Sequence, residues 1–118
     1  MALLREYKEI AYQWGIWKTE ESPEELLALL PDPERYEQQL TLFSSPHRKL
    51  EWLSVRVLLY QLLGEEKTIE YAPSGKPHLA DSSYFISISH TRGYVAVILS
   101  PVSEVGIEIG QHGQRVHK

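Results

Sequence analysis

Phe85-Ile86-Ser87-Ile88-Ser89-His90-Thr91-Arg92-Gly93-Tyr94-Val95-Ala96-Val97-Ile98-Leu99 is the stretch whose reading decides the fold. Two runs rich in Ile and Val flank Thr91-Arg92-Gly93, and a short loop closing on Gly between such runs reads as a β-hairpin. The second arm is apolar on both faces, so it is expected at the centre of a sheet rather than at its edge. Ser89 and His90 sit against the turn. That places a hydroxyl and an imidazole at one sheet end, beside free backbone N–H groups, and such a corner suits an anion.

Upstream of the hairpin, Ile10, Tyr12, Trp14 and Ile16 alternate at period two, which predicts one long first strand within residues 5–19. Ser22-Pro23-Glu24-Glu25 opens a short helix that ends by Pro31. The serine suits the N-cap, the proline the first helical position, and the glutamates the positive end of the dipole. Asp32-Pro33-Glu34 repeats the signal for a second helix over about residues 33–40. Ser45-Pro46 opens the third and longest. No Gly or Pro interrupts His47 to Leu63, while Leu50, Leu53, Val57 and Tyr60 adjoin a second stripe of Trp52, Val55, Leu59 and Leu62. Gly64 is the natural stop.

After Gly64 the pattern turns to strands: Thr68–Tyr71, a turn at Pro73-Ser74-Gly75, then Lys76–Leu79, the hairpin, and Val105–Ile109. Gln111–Lys118 reads as a loop entering a further helix. The order predicts an α+β fold in a single domain, residues 1–118, with a mainly antiparallel sheet packed against one long helix plus short helices.

The totals narrow the function. A chain of 118 residues, 42% hydrophobic and 24% charged, belongs to the soluble globular class. A net charge of −4 argues against a general nucleic-acid partner. Without cysteine there is no disulfide, thiolate zinc site or cysteine nucleophile. No apolar run approaches about 18 residues and the N-terminus lacks the layout of a signal peptide, so a cytoplasmic protein with no membrane partner is expected.

Several residues could carry chemistry. His47, Arg48 and Lys49 occupy the first turn of the third helix, where cations oppose the dipole at about 0.3–1 kcal/mol each. An anion held there would offset that cost; the plain alternative is three solvated side chains. Lys76, between flexible Gly75 and rigid Pro77, is presented in a defined direction. His90 follows two isoleucines at period two, so a buried structural histidine competes with an anion contact. Glu108 is the one acid inside an apolar strand, flanked by Gly106 and Gly110. Buried there, it would need a cation, and Mg²⁺ with phosphate oxygens suits it; the alternative is an edge-strand glutamate facing water. Glu104 lies roughly 13 Å away by strand rise, too far to share one metal.

Gly75-Lys76-Pro77, Phe85–Thr91, Val105–Ile109, and His47-Arg48 followed by Val55-Arg56 resemble, in order and spacing, motifs of the 4′-phosphopantetheinyl transferases of the surfactin-synthetase-activating type. The resemblance spans about residues 45–111. It implies Mg²⁺-dependent transfer of the phosphopantetheine arm of coenzyme A to a serine of an acyl or peptidyl carrier protein. It further implies that Lys76, Ser89 and His90 contact the coenzyme A phosphates. Arg48 would reach the 3′-phosphate end, Glu108 would bind the metal, and His90 and Glu108 would be the catalytic pair. Attack on a pyrophosphate does call for such charge neutralisation.

Departures from the family shape the expectation. Its strand usually reads Gly-Ile-Asp-Ile-Glu, whereas this chain has Gly106-Ile-Glu-Ile-Gly110, so the second acid is missing and metal binding should weaken. The lysines of the family's second helix are not evident in Glu34–Gln39. Family members are pseudo-dimers of two similar halves, and this chain corresponds to the N-terminal half. Alone it is expected to bind coenzyme A weakly, to transfer little or nothing, and to self-associate as a homodimer through the face the other half would cover. The competing readings are a non-catalytic coenzyme A or anion-binding module and a self-associating structural subunit. No nucleophile elbow supports a serine hydrolase.

Overall fold

The chain runs β1 (Leu3–Lys8), β2 (Gln13–Lys18), α1 (Pro23–Ala28), α2 (Glu34–Leu40), α3 (Pro46–Leu63), β3 (Ile69–Tyr71), β4 (Pro77–Leu79), β5 (Phe85–Thr91), β6 (Tyr94–Ser100), β7 (Gly106–Gly110) and β8 (Gly113–His117). The structure, a computed structural model, describes residues 3–8, 11–110 and 113–117. Every described strand pair is antiparallel, and the class is α+β.

The hairpin forms, with β5 pairing β6 from Phe85 opposite Ser100 to Thr91 opposite Tyr94. Its loop is the two residues Arg92 and Gly93 rather than three, because Thr91 stays in the ladder. Both loop residues have positive φ, 37° and 86°, the backbone of a type I′ turn that matches the twist of the strands. β6 lies inside a four-stranded sheet of order β1-β2-β6-β5, as its two-sided apolar pattern requires.

The expected long first strand is instead two, β1 and β2, folded back so that Tyr7 lies opposite Trp14. Ile10, part of that expectation, falls outside the described residues. β2 pairs with β6, so both its faces are covered and Trp14, Ile16 and Trp17 are all buried.

The sheet is a middle layer. On one face Trp17, Ile86, Val95, Val97 and Leu99 meet Leu53, Val57, Leu58 and Leu62 of α3. On the other, Trp14, Ile16, Ala96 and Ile98 meet Ile107, with half-buried Ile109 and Val116 beside it. The second cover explains a further difference from expectation. Residues 113–117 form strand β8 rather than the approach to a helix, with Val116 opposite Ile107, because an extended strand paired with β7 brings Val116 to the sheet. Residues 111, 112 and 118 lie outside the described residues.

The caps of α1 and α3 are those the sequence implies, whereas α2 starts after Pro33 with no side-chain cap, so Asp32 does not play the part Ser22 plays. Ser22 Oγ accepts from Glu25 N–H while the Glu25 carboxylate accepts from Ser22 N–H, and Ser45 Oγ accepts from Arg48 N–H. Gly64 ends α3 at φ 74°, a left-handed position that glycine takes without strain. Among the described residues no helix is long and apolar enough to cross a membrane.

Candidate functional site

Successive residues of a strand point to opposite faces, and this sorts the hairpin's polar residues. Ile86, Ile88 and His90 pair with Leu99, Val97 and Val95, so they share the face covered by α3. Ser87, Ser89 and Thr91 share the other. Ser89 and His90, expected to form one anion-binding corner, are therefore separated by the sheet itself. The Ser89 hydroxyl accepts from Ile109 N–H at 3.3 Å and ties β5 to β7.

His90 meets the start of α3. Its Nδ1 is 2.9 Å from Glu51 Oε2, and His47 Nε2, one helical turn before Glu51, is 3.5 Å from the same oxygen. The glutamate side chain is 18% exposed, against 65% and 59% for the two imidazoles, so the carboxylate is the sheltered centre of the cluster. A carboxylate at Nδ1 favours a proton on that nitrogen and leaves Nε2 for a second partner. His90 is thus an exposed, oriented histidine, not a buried structural one. Arg48 stands exposed on the same first turn, its guanidinium 5.9 Å from the Phe43 ring centroid.

Lys76 is placed elsewhere. The β3–β4 turn, closed by Ala72 N–H donating to Lys76 C=O at 2.9 Å, presents its ammonium 2.6 Å from Glu104 Oε1. Both residues line a cleft of about 380 Å³ whose walls include Leu79, Tyr84, Phe85 and Val105. Arg48, Ser89 and His90 are not among its walls. The hydrogen bond from Lys76 holds the Glu104 carboxyl below the ordinary carboxylate range.

Glu108 is exposed, so the buried-carboxylate argument does not apply to it. It alternates with Ile107 and Ile109, which face the sheet, and its Cα lies opposite that of Arg115 in the β7–β8 ladder. A side chain at Gly110 would meet nothing within 4 Å, so there is room for an acid but no oxygen to ligate. Among the described residues no group of three or more His, Asp or Glu could hold a metal ion. Glu108, the acid expected to hold magnesium, therefore has no second carboxylate at Gly110 beside it.

The structure therefore gathers His47, Glu51 and His90, with Arg48 on the same turn, and places Lys76, Ser89 and Glu108 at separate positions. Glu51 is absent from the candidates above, although its i,i+4 spacing from His47 on an uninterrupted helix is the available signal. Glu104 was weighed only as a distant metal ligand, and its pairing with Lys76 has no local pattern behind it. No protein-family model matches this chain, and no curated protein matches it.

Proposed function

We propose that this chain is the polyphosphate-binding half of a 4′-phosphopantetheinyl transferase-like protein, taking coenzyme A where β5 ends against the first turn of α3. The observation that carries the reading is the convergence of His90 and His47 on Glu51, with Arg48 following His47 in the first turn of α3. Two stretches singled out independently in the sequence meet at one sheet end. Exposed imidazoles and a guanidinium at a helix start suit phosphate oxygens, and Glu51 orients the ring that presents Nε2. An acyl or peptidyl carrier protein is the proposed acceptor, in the cytoplasm, and Glu108 is the residue proposed to meet Mg²⁺. No transfer step is assigned to the isolated chain, which is proposed to be inactive or weak and to self-associate.

Titration calorimetry with coenzyme A, with and without Mg²⁺, tests the reading. Weak binding is expected, reduced about ten-fold or more in Arg48→Ala and His90→Ala, since hydrogen bonds to charged groups contribute about 1.5–3 kcal/mol each. Absence of any heat at millimolar ligand would sink it. A robust, Mg²⁺-dependent mass gain on an apo-carrier protein would refute the claim that the chain alone is inactive. The exposed position of Glu108 favours a second reading, a metal-free anion-binding module. Under it, added Mg²⁺ leaves coenzyme A affinity unchanged.

A further inference from the structure

Arg92 is the residue of the hairpin tip that the fold itself does not use. It takes the first position of the type I′ turn at φ 37°, in the left-handed region that favours glycine, asparagine and aspartate. An asparagine there could hydrogen-bond its own backbone. Arginine returns nothing of the kind: it is exposed, and its guanidinium has no hydrogen-bond or ion-pair partner among the described residues.

The turn that carries it is firmly fixed. Gly93 C=O accepts from Thr19 N–H at 2.7 Å, and the Thr19 hydroxyl lies 2.7 Å from that of Ser54, a fully buried residue of α3. The hairpin tip is thereby tied to the helix whose first turn supplies His47 and Arg48. His90 reaches Glu51 of that helix at 2.9 Å, and two residues of chain keep the Cα atoms of His90 and Arg92 within about 7 Å of each other. An uncommitted cation thus stands on a rigid support next to the sheltered carboxylate and its two imidazoles.

We propose that Arg92 is a further contact of the anion site at Glu51, kept in an unfavourable backbone conformation because its guanidinium completes the grip on a bound polyphosphate. The inference rests on the coenzyme A reading of that site. A guanidinium presents paired N–H donors that match phosphate oxygens, which neither histidine offers. Because the turn is held before any ligand arrives, only the outer side chain has to be ordered on binding. Strain kept on a well-determined support, with no return to the turn or the core, has its return in the ligand.

Arg92→Asn tests this, because stability and affinity should move in opposite directions. Asparagine suits the turn, so the melting point should rise by about 2–6 °C. Affinity for inorganic pyrophosphate and for coenzyme A, read by titration calorimetry, should fall about three- to ten-fold. Arg92→Lys keeps the charge and the strain but loses the planar fork, so its affinity should fall by less and its melting point stay put. Unchanged or tighter binding of both ligands by Arg92→Asn overturns the proposal. If pyrophosphate binds and weakens in Arg92→Asn while coenzyme A does not bind, the coenzyme A reading falls and the role of Arg92 stands. If both ligands weaken in His90→Ala and not in Arg92→Asn, the site stands and the role of Arg92 falls. If neither ligand binds wild type, both fall.

Discussion

Arg56 carries a charge into the interior without a carboxylate to meet it among the described residues. It is 7% exposed, lies 4.0 Å over the Trp52 ring, and donates to Trp52 C=O at 3.3 Å and Tyr71 Oη at 3.4 Å. Burial pushes the guanidinium below its ordinary pKa. Its contribution is therefore packing and stacking more than charge. Arg56→Met, which keeps the length and drops the desolvation cost, should stay within about 1.5 kcal/mol of wild type in urea unfolding. Arg56→Ala should lose about 2–4 kcal/mol through the cavity it leaves.

Asp81 belongs to the same scale. Its carboxylate accepts from Lys67 Nζ at 2.6 Å and from Ser83 Oγ and N–H, and these bonds, that from Lys67 first, hold its pKa well below the usual range. A depressed carboxyl stabilises the fold above the unfolded value near pH 4 and loses that contribution as pH falls toward the folded value. Asp81→Asn should flatten the acid limb of stability below about pH 4 and leave the slope between pH 5 and 8 unchanged, as read from denaturant midpoints. The separation of Ser89 from His90 was implicit in period two once residues 85–91 were read as a strand. The meeting of His90 with Glu51 was not, because it depends on how α3 crosses the sheet.

The elements that were legible carry their own punctuation. Ser22-Pro23, Ser45-Pro46 and Gly64 mark the ends of α1 and α3 through hydrogen bonds made within a few residues, and α2 forms over the expected residues without a side-chain cap. Between β1 and β2 the sequence Glu9-Ile10-Ala11-Tyr12 has no Gly, Pro, Asn or Asp, so nothing local announces the reversal. β8 was missed because four of its five residues are glycine or polar, and its one apolar member, Val116, has meaning only against Ile107. The Arg92-Gly93 turn gives an element-scale prediction. Arg92, at φ 37°, is a poor residue for a type I′ turn, and Asn is a good one. Arg92→Asn should raise stability by about 0.5–1 kcal/mol, whereas Gly93→Ala should lower it by about 1–2 kcal/mol, both measured by chemical denaturation.

At the scale of the whole molecule, one sheet serves two cores, and Trp17, fully buried, anchors the α3 side. Trp17→Ala should cost about 3–5 kcal/mol and broaden the near-UV spectrum, while surface changes such as Glu104→Gln leave the melting point unmoved. The proposed self-association is checked by light scattering at high concentration, where strictly monomeric behaviour would count against it. The layering also has a consequence in time. Trp14 and Ile16 are made roughly eighty residues before their partners in β6 and roughly ninety before their cover Ile107. At about 5–20 residues per second that is an interval on the order of ten seconds. Throughout it this aromatic, β-prone ribbon lacks both its pairing strand and its cover, so synthesis leaves an interval in which mispairing competes with folding.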